Sequence, residues 1–214
     1  MFVGHYGASF LGKAAAPRVP LWVLLLAAQL VDIAWAVFIL LGVERFRLDP
    51  TLPSNPLVLE YMPYTHSLLG TLAWAALAGA AVIALLPRIG TARAAVVTGL
   101  VVCSHWALDV LVHRPDMTLA GGEPRLGLGL WNRPLLAYLV EIAFLVGAAA
   151  FSLAQRDSGT HERRAVMRGV GALVVLQTLS VLGPLPPSPA IMVVSLLATF
   201  LLIAWAGARI ERPV

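Results

Sequence analysis

Long, nearly uninterrupted runs of apolar residues decide what this chain can fold into. A helix needs about 20 mostly apolar residues to cross the roughly 30 Å hydrocarbon layer of a bilayer. Proline-containing stretches at Pro20, Pro87, Pro134 and 183–189 fall at the ends of such runs, as expected of residues that interrupt helices. The sequence therefore predicts six membrane-spanning segments, at 20–41, 66–86, 94–113, 134–154, 165–183 and 188–207.

The composition supports an integral membrane protein. Of the 214 residues, 59% are hydrophobic and 12% are charged, whereas soluble domains carry about 25% charged residues. No linker or internal repeat divides the chain, so 1–214 is predicted to be a single transmembrane helical domain of the all-α class, a polytopic bundle. The net charge is +4, and most of the basic residues lie in short loops. No motif indicates a nucleic-acid partner. Membrane lipids are the expected surroundings.

The distribution of basic residues predicts the orientation. With six spans, one side of the membrane collects Lys13, Arg18, Arg88, Arg93, Arg156, Arg163, Arg164, Arg168, Arg209 and Arg212. The opposite loops hold Arg45, Arg47, Arg114, Arg125 and Arg133. Because cytoplasmic loops are enriched in lysine and arginine, both termini are predicted to be cytoplasmic. The two longest loops, 42–65 and 114–133, would then face outward.

Three ionisable residues share one stripe of a predicted membrane helix. In SHWALDVLVHRPD, residues 104–116, His105, Asp109 and His113 are spaced four apart, which places them on one helix face. An ionisable group inside the bilayer costs about 2.5–3.5 kcal/mol on insertion scales, so such residues are functional candidates. Counted at 1.5 Å per residue, four of the candidates lie roughly 6–14 Å deep, in one layer: Asp32, His105, Asp109 and Glu141.

Converging histidines and carboxylates predict a divalent metal site. Neutral imidazole and carboxylate are the usual ligands of Zn²⁺, Mn²⁺ or Fe²⁺, and the ion would offset repulsion between the acids. The predicted ligands are Asp32, His66, His105, Asp109 and His113. An ion with an open position activates water for hydrolysis, and Glu141 is the predicted general base. Four arginines could hold an anionic head group at the outer mouth: Arg45, Arg114, Arg125 and Arg133.

Each of these residues also has a structural interpretation. His66 could be a hydrogen-bonding residue in helix packing. His113 could belong to the turn HRPD, and Glu141 could pair with Arg133. His161 lies in the charged loop RDSGTHERR and is predicted to be a solvated cytoplasmic residue.

Several motifs resemble a bacterial inner-membrane family of metal-dependent hydrolases. They are GHYGAS at 4–9, the intramembrane Asp32, MPYTHSLLG at 62–70, and SHWALDVLVHRPD followed by GLGLWNRP at 127–134. The order of histidines and acids is also similar, more distantly, to that of zinc-dependent phospholipase C and fungal single-strand nucleases. These resemblances imply a hydrolase of phosphoester or lipid-type substrates in the bacterial inner membrane, with zinc as the favoured metal. The C-terminal His-plus-acid helix of those enzymes is not reproduced.

The likeness to phospholipase C adds His5 to the implied metal ligands. If both termini are cytoplasmic, the segment at 2–12 must re-enter the bundle for His5 to reach a site in the outer half, which is tolerated where a half-helix lines a cavity. Otherwise the segment lies outside at the interface. Alternatively, the same His, Asp and Glu residues form a proton relay in a small transporter, which could be a homodimer. A third interpretation is haem bound between histidines of different helices.

Overall fold

The computed structural model describes residues 1–210 as eight α-helices connected by short turns and by two longer loops at one end of the bundle. These are the loops predicted at 42–65 and 114–133, and they and their end of the bundle are called outer after the predicted orientation. Arg212, one of the basic residues used to predict the orientation, lies outside the described part. The helices are α1 (His5–Ala15), α2 (Leu21–Ala28), α3 (Leu30–Leu40), α4 (Leu68–Leu85), α5 (Ala92–Val112), α6 (Pro134–Gln155), α7 (Thr160–Leu182) and α8 (Pro189–Ile210). The predicted all-α polytopic bundle is confirmed.

Five helices, α4 to α8, are each long and apolar enough to cross a membrane, and α2 with α3 can form a sixth span. The chain is therefore a multi-pass membrane protein. The sixth span is bent by 52° between α2 and α3, whereas the sequence predicted one continuous helix over 20–41. Helix α7 begins at Thr160, earlier than the predicted 165, because Glu162 in its first turn is favourable near a helix N-terminus and contacts Arg156 at 2.5 Å.

The break in the first span is held by the N-terminal segment. Gln29, between α2 and α3, is fully buried, and its Nε2 donates a hydrogen bond to the backbone oxygen of Phe2 at 3.2 Å. No proline or glycine marks this position, so the bend has no local signal. The break is instead accompanied by a contact between residues far apart in the chain.

Helix α1 is the predicted short N-terminal segment, and it lies inside the bundle. Its first residues are buried next to Glu141 of α6, whereas its C-terminal end is followed by Ala16 and Val19, which lie near Thr91 at the start of α5. Residues on all sides of α1 are buried, as expected of a helix surrounded by protein. It packs against α2, α5 and α6. The apolar core forms around it and includes Val3, Tyr6, Phe10, Leu24, Val102 and Leu145.

The two outer loops contain short antiparallel hairpins that the sequence did not predict. Strand β1 (Arg45–Leu48) pairs with β2 (Leu57–Tyr61), and β3 (Met117–Thr118) pairs with β4 (Arg125–Leu126). Leu57 and Leu59 alternate inward along β2, a strand pattern that five residues reveal only weakly. They form a second core at the outer end together with Trp35, Met62, Val112, Met117 and Trp131. This core lies beside a polar cluster that includes Asp32, His66 and Asp109.

Candidate metal centre

The outer half of α5 and the break in the first span bring the predicted ligands together. His105 and Asp109 lie on successive turns of α5, Asp32 is in the first turn of α3, and His66 immediately precedes the Ser67 cap of α4. His5, His105 and Asp109 form one group whose ligand atoms all lie within 4.8 Å of one another. A second group with the same limit consists of Asp32, His66 and His105. The two groups share His105 and form one cluster, here called the His/Asp centre.

Two carboxylates at the middle of the centre face the Nε2 atoms of the surrounding histidines. Asp109 Oδ1 lies 3.1 Å from His5 Nε2, and Asp109 Oδ2 lies 3.1 Å from His105 Nε2. Asp32 Oδ1 lies 3.3 Å from His66 Nε2 and 3.5 Å from His105 Nε2. His113 is more distant, with Nε2 at 3.9 Å from Asp109 Oδ2. The α-amino group of Met1 also contacts Asp109 Oδ1.

The other ring nitrogen of His105 is held by the break in the first span. Its Nδ1 lies 2.9 Å from the carbonyl oxygen of Ala28, the last residue of α2. Carbonyl groups in the last turn of a helix have no partner within that helix. Because a carbonyl can only accept, Nδ1 carries the hydrogen, and neutral His105 has its lone pair on Nε2, facing the carboxylates.

A buried glutamate fixes the ring of His66 in the same way. The Thr65 hydroxyl donates to Glu44 Oε2 at 2.6 Å, and His66 Nδ1 lies 2.9 Å from that hydroxyl. Since the single hydroxyl hydrogen goes to Glu44, His66 Nδ1 must be the donor to Thr65. Glu44 also accepts from the backbone N–H groups of Tyr64 and Thr65 and is only 1% exposed. His66 therefore also presents its Nε2 lone pair to the centre.

His113 completes the pattern at the rim. Its Nδ1 lies 3.0 Å from Asp116 Oδ1, and the other carboxylate oxygen of Asp116 accepts from the Leu59 N–H at 3.2 Å. The His113 ring also packs against Trp131, with ring centroids 4.1 Å apart. His113 is thus both part of the turn and directed at Asp109. In metal sites, a carbonyl or carboxylate on one ring nitrogen typically orients the other toward the ion.

The centre has ligand atoms that could hold a divalent cation. Within residues 1–210, His5 Nδ1 is buried without a hydrogen-bond partner, and the polar contacts of His5 Nε2 and His105 Nε2 are with the carboxylate oxygens of Asp32 and Asp109. The His5 and His105 rings stack with centroids 3.8 Å apart and planes within 6°, so protonating both would bring two positive charges together. A divalent ion would balance the two carboxylates and accept lone pairs from neutral imidazoles.

Glu141 lies beside the centre and anchors the N-terminal segment. Its Oε2 accepts from the backbone N–H groups of Phe2 at 2.8 Å and Gly4 at 3.2 Å. The side chain is 2% exposed, and its hydrogen bonds in the described part of the chain go to this segment rather than to Arg133. The prediction that Glu141 is a general base stays a prediction.

The arginines predicted to hold a head group do not join the centre. Arg114 donates to the backbone oxygens of Pro53 and Asn55 and to Asn132 Oδ1, at 2.9–3.1 Å. These bonds tie the first outer loop to the second. Arg133 is exposed at the start of α6. Their predicted contact with substrate stays a prediction.

Two residues that orient the histidines, Glu44 and Asp116, were not predicted from the sequence. Glu44 and Asp116 are in the outer loops, where carboxylates are usually solvated. A signal does exist for Asp116, because it follows His113 by three residues in HRPD. Glu44 is distant in sequence from His66, and only the folded loop brings them together.

Comparison with protein-family models, with curated proteins and with solved structures finds no match to this chain. The resemblance to the metal-dependent hydrolase family therefore stays a prediction.

Proposed function

We propose that this protein is a membrane-embedded metal-dependent hydrolase of phosphoester or lipid-type substrates. The observation that carries the proposal is the orientation of the histidines. His66, His105 and His113 each direct Nε2 toward buried carboxylates, while Nδ1 is engaged by a protein oxygen. Hydrogen bonds that orient imidazoles in this way are typical of metal sites. A His/Asp pair that served only helix packing would not need them.

Four residues would hold the ion: Asp32, His66, His105 and Asp109. His5 would lie at its buried side and His113 at the rim. A bound Zn²⁺, Mn²⁺ or Fe²⁺ with an open position supplies a Lewis acid and lowers the pKa of water. Zinc is the proposed metal, because a set of histidines and aspartates suits it well.

Glu141 is the proposed proton acceptor. Its carboxylate lies in the wall of a cavity next to the centre, and one of its oxygens, Oε2, accepts hydrogen bonds from the N–H groups of Phe2 and Gly4.

We also propose a bacterial inner-membrane location with cytoplasmic termini, based on the basic residues and the family resemblance. The His/Asp centre would then lie in the outer half of the bilayer.

Elemental analysis of the purified protein tests the metal assignment. We expect stoichiometric zinc, manganese or iron in the parent and loss of that metal in the His105→Ala/Asp109→Ala variant. The matched control is Asp157→Ala/His161→Ala, which removes an exposed pair with the same spacing outside the centre. The control should keep its metal and any hydrolysis of phosphoester probes.

Metal retained in the His105→Ala/Asp109→Ala variant would contradict the proposal. So would a parent protein that binds no metal after reconstitution with each ion. In that second case the same residues would be better explained as a proton relay, and counterflow in proteoliposomes would be the next measurement.

A further inference from the structure

A cavity opens between the outer ends of α6, α7 and α8. Its volume is about 350 Å³, and small-molecule sites typically measure about 300–1,000 Å³. Its walls include Pro134, Tyr138, Leu179, Val181, Met192 and Leu196. Residues Ser54 and Asn55 of the first outer loop border its outer end. The size and the largely apolar lining suit part of an amphipathic molecule.

The cavity adjoins the His/Asp centre. A smaller cavity of about 110 Å³ is lined by Asp32, His66 and Asp109. The two cavities share wall residues, among them Met1, Phe2, Trp131 and Leu196. A molecule in the larger cavity is therefore separated from the carboxylates and imidazoles by these side chains alone.

The opening of the cavity faces the surface that the bundle presents to lipid. Leu179 and Val181 of α7 are 64% and 42% exposed, and Ser195 of α8 is exposed as well. Gln177, five residues before the end of α7, lies about 7.5 Å from that end at 1.5 Å per residue. The occupant can thus enter from the side, between α7 and α8.

The polar groups in the wall select for a hydrogen-bond donor. Gln177 is 5% exposed, and its Oε1 is buried without a hydrogen-bond partner in the described part of the chain. Glu141 is the charged side chain in the wall, and no lysine or arginine of residues 1–210 lines the cavity. The α-amino group of Met1, another wall residue, contacts Asp109. Buried acceptors with no lysine or arginine beside them favour an ammonium group over an anionic head group.

We propose that this cavity binds a membrane phospholipid with a primary ammonium head group, entering sideways between α7 and α8. The acyl chain lies against Leu179, Met192 and Leu196, and the head group reaches Gln177 and Glu141 in the same cavity wall. The inference deepens the proposed function, because it names the substrate class of that site. Binding itself requires neither bound metal nor turnover.

Photo-crosslinking in nanodiscs tests this inference. The discs contain equal parts phosphatidylethanolamine and phosphatidylglycerol, with a trace of phosphatidylethanolamine that carries a diazirine on one acyl chain. We expect labelled peptides to map to the end of α7 and the start of α8. Ser195→Trp, which fills the opening, should abolish this labelling, whereas Ala198→Trp, at an exposed α8 position outside the cavity, should not.

A second variant, Gln177→Leu, tests the head-group preference without blocking entry of the acyl chain. A phosphatidylcholine probe keeps the charge but lacks N–H donors, so it should label about tenfold less, as expected for the loss of a charge-assisted hydrogen bond. Gln177→Leu should remove that difference. Even labelling of all lipid-facing helices, or equal labelling in Ser195→Trp and Ala198→Trp, would overturn the inference.

The metal content of each variant separates the two proposals. Specific labelling by a protein that binds no metal would support the lipid site and contradict the hydrolase. Metal retained without specific labelling would leave the hydrolase standing and refute the lipid site.

Discussion

The Thr65→Val substitution tests whether the hydrogen bond between Thr65 and His66 orients the His66 ring for metal binding or only stabilises the fold. Valine nearly matches threonine in shape but has no hydroxyl. The substitution removes the 2.6 Å bond to Glu44 and the acceptor at 2.9 Å from His66 Nδ1. Both partners are at most 5% exposed, so neither regains a bond to bulk water. Glu44 keeps its backbone donors from Tyr64 and Thr65.

Two effects of known size should follow. Loss of a hydrogen bond to a buried charged group costs about 1.5–3 kcal/mol, and we expect the free energy of unfolding to fall by that amount. Loss of the partner that orients a metal-binding histidine typically weakens metal affinity about 10–100-fold. Chelator competition measures the metal affinity, and a thermal unfolding curve in detergent measures the stability.

Thr98→Val is the matched control. Thr98 is 2% exposed on α5, and its hydroxyl is buried without a partner among residues 1–210. Replacing an unpaired buried hydroxyl should leave stability unchanged or raise it, and metal affinity should not change. If Thr65→Val loses stability but binds metal as tightly as Thr98→Val does, the bond from Glu44 through Thr65 to His66 has no role in the centre.

Further expectations concern the N-terminal segment and its anchor. Glu141→Gln should keep the bound metal, because an amide oxygen can still accept from Phe2 and Gly4, but it should lower hydrolysis about 10²–10⁴-fold as a lost general base. Full hydrolysis in this variant would exclude that role. Gly7→Ala should destabilise the protein by about 1–3 kcal/mol, because its Cβ would lie 2.7 Å from the Phe144 ring. Gly147→Ala, on α6 with open space around it, should instead stabilise by up to about 1 kcal/mol, and melting temperatures compare the two.

Much of the bundle can be predicted from hydropathy, because lipid imposes a length requirement on every span. The spacing of His105, Asp109 and His113 also predicts a shared face, since three or four residues return a helix to the same side. The bend at Gln29 could not be predicted. Nothing in VLLLAAQLVDIAW interrupts a helix locally, and the contact found at the bend, between Gln29 and Phe2, joins residues far apart in the chain.

The loop residues that orient the histidines of the centre also could not be predicted from the sequence. A carboxylate in an outer loop is usually solvated, so its local sequence gives no reason to bury Glu44. Burial becomes favourable only when three donors converge on it, the two N–H groups and the hydroxyl of Tyr64 and Thr65. Such donors are supplied by the fold of the loop and not by any spacing along the chain.

Helix α1 links the fold to the centre. Its residue His5 stacks on His105, its preceding residues Phe2 and Gly4 donate to Glu141, and Phe2 accepts from Gln29. The same short segment thus bends the first span, anchors the candidate base and closes the buried side of the centre. Because the bend places the Ala28 carbonyl against His105 Nδ1, the orientation of a ligand on α5 depends on the packing of α1. A change that loosens α1, such as Gly7→Ala, should therefore weaken metal binding as well as stability.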